Sequence, residues 1–192
     1  VISESAIKFP GLLGTVTAKI HRPIEGTIKT VTVSRNPDGK YFASLLVDDG
    51  IEKPESSSEG KAIGIDLGLT DFAITSDGSK FANPRHLKKH ERNLKRKQRK
   101  LSRREKGSKN RNKARLKVAK VHSKIARVRE DFHHKLSRKI VNENQVIVVE
   151  DLAVKNMVKN HNLARAISDV GWGQFCTCLL YTSPSPRDRQ KS

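Results

Sequence analysis

Ile63-Gly64-Ile65-Asp66-Leu67-Gly68-Leu69-Thr70, read together with Val146-Ile147-Val148-Val149-Glu150-Asp151, decides how this chain folds. Each stretch contains a short apolar run, too short for a free-standing helix and rich in β-branched residues, so each reads as a buried strand. Each run delivers a carboxylate at or near its end. Burying an isolated carboxylate is costly, so acids placed there need a cation, a hydrogen-bond network or a metal. Two such acids on neighbouring strands, though 84 positions apart in the chain, could share divalent ions.

Between the two acids lies the most basic part of the molecule. Net charge is +19 over 192 residues, and residues 85–140 alone hold 24 Lys/Arg against four acids, leaving the rest close to neutral. A single block with the whole excess is the footprint of a polyanion-binding surface, most often nucleic acid. A membrane-surface helix is the weaker alternative, because the block has no Trp/Phe-rich face. There is neither a long apolar segment nor a secretory signal, so a cytoplasmic protein is expected. Two cysteines exclude a disulfide framework. The first residue is Val1, and the start of the chain is expected to be missing.

Working outward, residues 1–50 read as an antiparallel β-module. Thr15–Ile20 and Thr27–Ser34 alternate in part, and Lys40–Val47 follows the turn sequence Asn36-Pro37-Asp38-Gly39. Ile51–Gly60, with Pro54, three serines and several Glu, reads as a linker. Strands are then expected at Ala62–Leu67, Asp71–Thr75 and Lys80–Ala82, and Asn83-Pro84 ends the meander. A helical region follows, split at Gly107-Ser108. Its first half carries Leu87, Leu94 and Leu101. Its second carries Val118, Val121, Ile125, Val128, Phe132, Leu136 and Ile140, a three-four seam. The expectation is a basic two-helix hairpin, then a strand Gln145–Glu150 beside the first strand, then loop and helix over Ala153–Ser168. Three strands, a helical insertion and a fourth strand, with acids on the first and fourth, form the layout of a ribonuclease H-like α/β core.

At this point the sequence resembles a known family. Gly64-Ile65-Asp66-Leu67-Gly68-Leu69 followed by Phe72-Ala73, then Val149-Glu150-Asp151-Leu152, then Ile167-Ser168-Asp169-Val170-Gly171-Trp172-Gly173-Gln174-Phe175, is similar to the OrfB/TnpB transposon proteins related to type V CRISPR effectors. The resemblance implies an RNA-guided DNA endonuclease with a RuvC-type centre that requires Mg²⁺, a guide RNA and a DNA target. It implies that residues 1–50 are part of an antiparallel β-barrel (wedge) module and that residues 61–177 are an incomplete nuclease domain with its basic hairpin at 85–142. Asp66 matches the family's first catalytic and metal-binding acid and Glu150 its second. Strand alternation alone cannot choose between Glu150 and Asp151, which point to opposite faces. The family's third acid and its four-cysteine zinc insert have no counterpart here, so cleavage by this chain alone is expected to be poor. Residues 178–192, from Cys178-Leu179-Leu180-Tyr181-Thr182 onward, resemble a translated sequencing adapter and are expected to stand outside the fold.

The hairpin is expected to grip the phosphates of a guide–target heteroduplex by shape. The cations assigned to that role are Arg92, Lys95, Arg96, Lys97, Arg99, Lys100, Arg103, Arg104, Arg111, Lys113 and Arg115. His86 and His90, four apart, have the spacing of a metal pair but no third ligand nearby, and read as surface histidines. Cys176-Thr177-Cys178 lacks the spacing of a zinc pair. Asp66-Leu67-Gly68-Leu69-Thr70 would also pass for the first phosphate loop of an actin-like ATPase. That class needs a second glycine-rich loop, and no glycine follows Leu152 until Gly171. A non-catalytic nucleic-acid-binding protein fits the charge equally well, and the acid pair is what separates it from a nuclease.

Overall fold

A computed structural model describes residues 2–3, 5–9, 14–20, 23–50 and 60–182. The chain divides into two compact units, Val1–Asn36 with Lys40–Glu52, and Pro37–Gly39 with Lys53–Ser192.

In the first unit, β1 (Ile2–Ser3), β2 (Ala6–Lys8) and β3 (Thr15–Thr17) form one antiparallel sheet, while β4 (Thr27–Arg35) and β5 (Tyr41–Asp48) pair as a separate hairpin. Gly39 supplies the positive φ of 87° that the hairpin turn needs. Asn36 N–H closes that turn by donating to Lys40 O at 2.8 Å. The antiparallel β character expected of residues 1–50 is present, but these are two sheets, and among the described residues no barrel closes. Val33, Tyr41 and Leu46 on the hairpin are all more than half exposed, so its faces do not close over a core as barrel strands do. The linker expected at 51–60 lies outside the described residues except for Gly60.

The second unit is α/β and follows the sequence closely. Strands β6 (Ala62–Leu67), β7 (Asp71–Thr75), β8 (Lys80–Ala82) and β9 (Val146–Val149) make one sheet in the order β8-β7-β6-β9. The meander β6-β7-β8 is antiparallel, and β9 returns parallel to β6. A parallel return needs a long crossover. The basic helices provide it: α1 (His86–Ser102) and α2 (Lys109–Glu143), the latter about 50 Å long at 1.5 Å per residue. The break between them falls where the sequence put it. Gly107 turns the chain at φ 84°, and the Ser108 side chain caps α2 by accepting from Arg111 N–H at 3.1 Å.

The apolar seam of α2 is divided between two cores. Val121 and Ile125 pack with Leu94 of α1 to close the hairpin, with Leu87 and Val118 at the edge. Leu136 and Ile140 join the main core, made with Ile63, Ile65 and Leu67 of β6, Phe72 and Ala73 of β7, and residues of α4 (Ala164–Val170) and α5 (Trp172–Thr182). Between the two cores Val128 is exposed, so the seam is interrupted where the hairpin leaves the body. A short helix, α3 (Val154–Met157), follows β9.

Helix α5 corrects the expectation for the end of the chain. Residues 178–182, set outside the fold by the adapter reading, are its last turns, with Cys178 and Leu179 buried and the Thr182 hydroxyl 3.2 Å from the buried Ser137 hydroxyl. Residues 183–192 lie outside the described residues.

Candidate functional site

Alternation along β6 sends Ile63, Ile65 and Leu67 into the main core and Ala62, Gly64 and Asp66 to the opposite face. The parallel register pairs Ile63 with Ile147, Gly64 with Val148 and Ile65 with Val149. The register ends at Ile65 and Val149, and Asp66 and Glu150 are the next residues along the two neighbouring segments, near the carboxyl ends of adjacent parallel strands. Asp151 has the other parity. Carboxyl ends of parallel strands are where open α/β sheets present their ligands.

The chemical setting differs from the sequence expectation in one respect. The strands are buried on one face only, and both Asp66 and Glu150 are exposed. The reasoning from a buried strand to a buried, metal-requiring acid therefore fails, since alternate residues of a half-covered strand face opposite ways. What remains is two exposed carboxylates just past the ends of neighbouring strands, near Val148, which is 63% exposed. Among the described residues no group of three His, Cys, Asp or Glu side chains comes together as a ready metal cage.

Gly68, two residues after Asp66, has a steric reason to be glycine. A Cβ there would meet Asp71 O at 2.8 Å, and Gly68 N–H donates to Phe72 O. Asn83 at the end of β8 donates through Nδ2 to Leu69 O at 2.8 Å, tying the loop that follows Asp66 to the entrance of α1.

The hairpin presents its cations as expected, with one exception. Arg92, Lys95, Arg96, Arg99, Lys100, Arg103, Arg104, Lys113 and Arg115 are exposed and Lys97 is half-buried. Lys97, Lys100, Arg104, Asn110, Lys113 and Lys117 line an open groove of about 260 Å³ between the end of α1 and the start of α2. No acid lines it, so the groove is strongly electropositive. Lys117 lies outside the expected set; its position one turn after Lys113 was the available signal. The exception is Arg111, whose guanidinium donates to Leu101 O at 3.3 Å and Arg104 O at 2.8 Å, capping α1 and bracing the hairpin turn. Lys95 is paired with Glu91 at 2.6 Å.

Two further sequence expectations change. His86 is buried, not on the surface: its ring meets Phe132 edge-on at 6.1 Å, and burial lowers its pKa. Its companion His90 is only half-buried. Cys176 and Cys178 sit on α5, where burial pushes both thiols up in pKa and away from the reactive thiolate form.

The motif Ile167–Phe175 proves to be packing and capping. Ile167, Val170, Trp172 and Phe175 are core residues, and Gly171 ends α4 in the left-handed region at φ 70°. The Asp169 carboxylate accepts from Leu87 N–H at 3.0 and 3.1 Å and so caps α1.

The chain has similarity to known proteins. The OrfB_IS605 family, described as a probable transposase, matches residues 33–161. A protein of Streptomyces pristinaespiralis named "Putative RNA-guided DNA endonuclease" is 48% identical over 152 residues, covering 79% of this chain and 37% of that protein. "Putative RNA-guided DNA endonuclease InsQ" of Escherichia coli (strain K12) is 33% identical over 193 residues, covering 93% of this chain and 48% of that protein. The chain therefore spans less than half the length of either relative.

Proposed function

The chain belongs to the OrfB_IS605 transposase family, and from that premise we propose that it is the part of an RNA-guided DNA endonuclease that carries two acids of a RuvC-type, ribonuclease H-like metal centre. The observation that supports this reading is the parallel β6–β9 register, whose last pair, Ile65 and Val149, directly precedes Asp66 and Glu150. The donor set fits Mg²⁺, a hard cation that takes few protein ligands and keeps several waters. Bound there, Mg²⁺ would supply an activated water and charge stabilisation for phosphodiester hydrolysis. The chain's own contribution is to hold that ion through Asp66 and Glu150 and to orient a duplex through the cations of α1 and the first turns of α2. Positioning by backbone phosphates leaves sequence choice to base pairing with a guide RNA, so DNA and RNA are the partners. Residues 1–50 then belong to the wedge module and residues 61–177 to the nuclease domain.

For this chain alone, the same geometry favours binding without cleavage. Asp169, the one acid late in the nuclease region, is engaged in capping α1 and is not available as a third ligand. The test has two arms. In the complete protein with its guide RNA, Asp66→Ala is expected to abolish Mg²⁺-dependent cleavage while heteroduplex binding persists. Cleavage that survives the substitution overturns the assigned centre.

A further inference from the structure

Helix α1 carries the densest cations of the hairpin and lacks a cap of its own. Its preceding residue is Arg85, held at φ 48°, and the Arg85 side chain accepts nothing from the first turn. An uncapped first turn leaves N–H groups unsatisfied, and here the root of a phosphate-contacting helix would fray. The Leu87 N–H instead goes to Asp169, 82 residues away on α4, with both carboxylate oxygens in range. One turn further along α1, Glu91 meets Arg165 of the same short helix at 2.8 Å. Helix α4 is fixed in turn to α2: Arg129 donates from Nη1 to Ser168 O at 3.1 Å and Asp169 O at 3.3 Å. Gly171 permits that grip, because a Cβ there would meet Arg129 Cδ and His133 Cε1 at 3.2 Å.

We propose that Asp169 is a positioning residue for the nucleic-acid interface: it clasps the root of α1 to α4, and through Arg129 to α2, so that the cations of both hairpin helices address one duplex together. The proposal rests on the reading of the hairpin as a phosphate-binding surface and adds the element that sets its geometry. It makes a prediction opposite in sign to simple electrostatics. Removing an acid from a basic protein raises its attraction for a polyanion, whereas removing this acid lowers it.

The experiment measures binding of this chain to a fluorescent RNA–DNA hybrid of about 20 base pairs across a salt series. Asp169→Ala is expected to bind about tenfold more weakly and to lower the slope of log K against log salt by about one to two, the loss of one or two phosphate contacts. Asp169→Asn, which keeps an acceptor for Leu87 N–H and removes the same charge, is expected to restore most of both. Hydrogen exchange at the first turn of α1 is expected to quicken in the alanine variant alone. If Asp169→Ala does not fold, Glu91→Ala, which cuts the outer tie to Arg165 and again removes an acid, is expected to show the same two binding losses in smaller measure. A wild-type slope that is steep and unchanged in Asp169→Ala overturns the positioning role while leaving the interface standing. Equal weakness of the asparagine and alanine variants also overturns it. A flat wild-type salt response overturns the interface itself and this role with it.

Discussion

His133 offers the sharpest test of how the main core is built. Its side chain is fully buried, packed at 5.4 Å from the Phe72 ring and 5.9 Å from those of Phe132 and Phe175. Nε2 donates to Val170 O at 2.9 Å, and Nδ1 has no partner among the described residues. Desolvation is the main force on its pKa, which falls from 6.5 to about 4; the bond to Val170 O works the other way, and the Arg129 guanidinium and the neighbouring His86 and His134 rings add to the fall. In the unfolded chain the ring takes its proton near pH 6.5, and in the folded chain only near pH 4. Between those values the unfolded state holds one proton more, so stability is full above about pH 7 and declines as the pH is lowered, levelling off below about 4. At about 1.4 kcal/mol per tenfold difference in proton affinity, the decline amounts to about 3 kcal/mol, a large share of an ordinary domain's stability.

The assay is urea denaturation followed by the fluorescence of Trp172, the single tryptophan and a buried member of this core. It is run from pH 8 to pH 4 on the wild type and on His133→Phe, which keeps an aromatic ring of similar size and does not titrate. Wild type is expected to lose about 3 kcal/mol more than the variant over that range. His86, whose pKa burial also lowers, titrates in both proteins and cancels in the difference. Parallel pH profiles for the two proteins would refute the reasoning, since the buried ring would then carry no proton-linked cost.

Glycine substitutions in the acid-bearing stretch should separate sharply. Gly68→Ala drives a Cβ to within 2.8 Å of Asp71 O and is expected to destabilise by about 1–3 kcal/mol in the same urea assay, whereas Gly64→Ala, whose Cβ meets only Ser76 at an ordinary 3.7 Å, is sterically free. Replacing Lys97, Lys100, Lys113 and Lys117 together by Gln is expected to reduce the salt slope of hybrid binding by about three to four while leaving the melting temperature nearly unchanged, because these groove residues are not part of either core. An unchanged slope would show that the groove is a solvated surface. Asp66→Asn is expected to shift folding stability by less than about 0.5 kcal/mol, as for other exposed positions, and a larger loss would assign Asp66 a structural role.

Much of the second unit was legible because its signals are local. Strands at Ala62–Leu67, Asp71–Thr75 and Lys80–Ala82 match the expected ranges, since short apolar runs bounded by turn residues admit few other readings. The helix break at Gly107-Ser108 was equally plain, a glycine in the left-handed region followed by an N-cap. Features set by distant residues were harder to read. The burial of His86 depends on Phe132 and the Asp169 cap, and no pattern around position 86 encodes either. Arg111 sat among ten other cations with nothing to show that its guanidinium would be taken by Leu101 and Arg104. Helix α5 is different, because Trp172, Phe175 and Leu179 already had helical spacing and all three are buried. That signal was present and lost to the resemblance of the tail to an adapter.

The two acids lie in a setting different from the one their apolar flanks imply. Sequence reasoning took the apolar runs as buried strands and inferred buried carboxylates that needed a metal to be tolerated. The structure keeps the strands and exposes the acids, so tolerance explains nothing: an exposed carboxylate is stable without a partner. What singles out Asp66 and Glu150 is convergence. The parallel crossover that brings β9 beside β6 is built from the same helices that hold the cations, so one topological step brings the two acid-bearing strand ends to neighbouring positions and attaches the basic hairpin to the same sheet. A structural role would require either acid to pack or pair within the fold, and both stand open on the face that β6 and β9 turn away from the core. The crossover that brings the two strand ends together is a property of the whole unit and not of either motif.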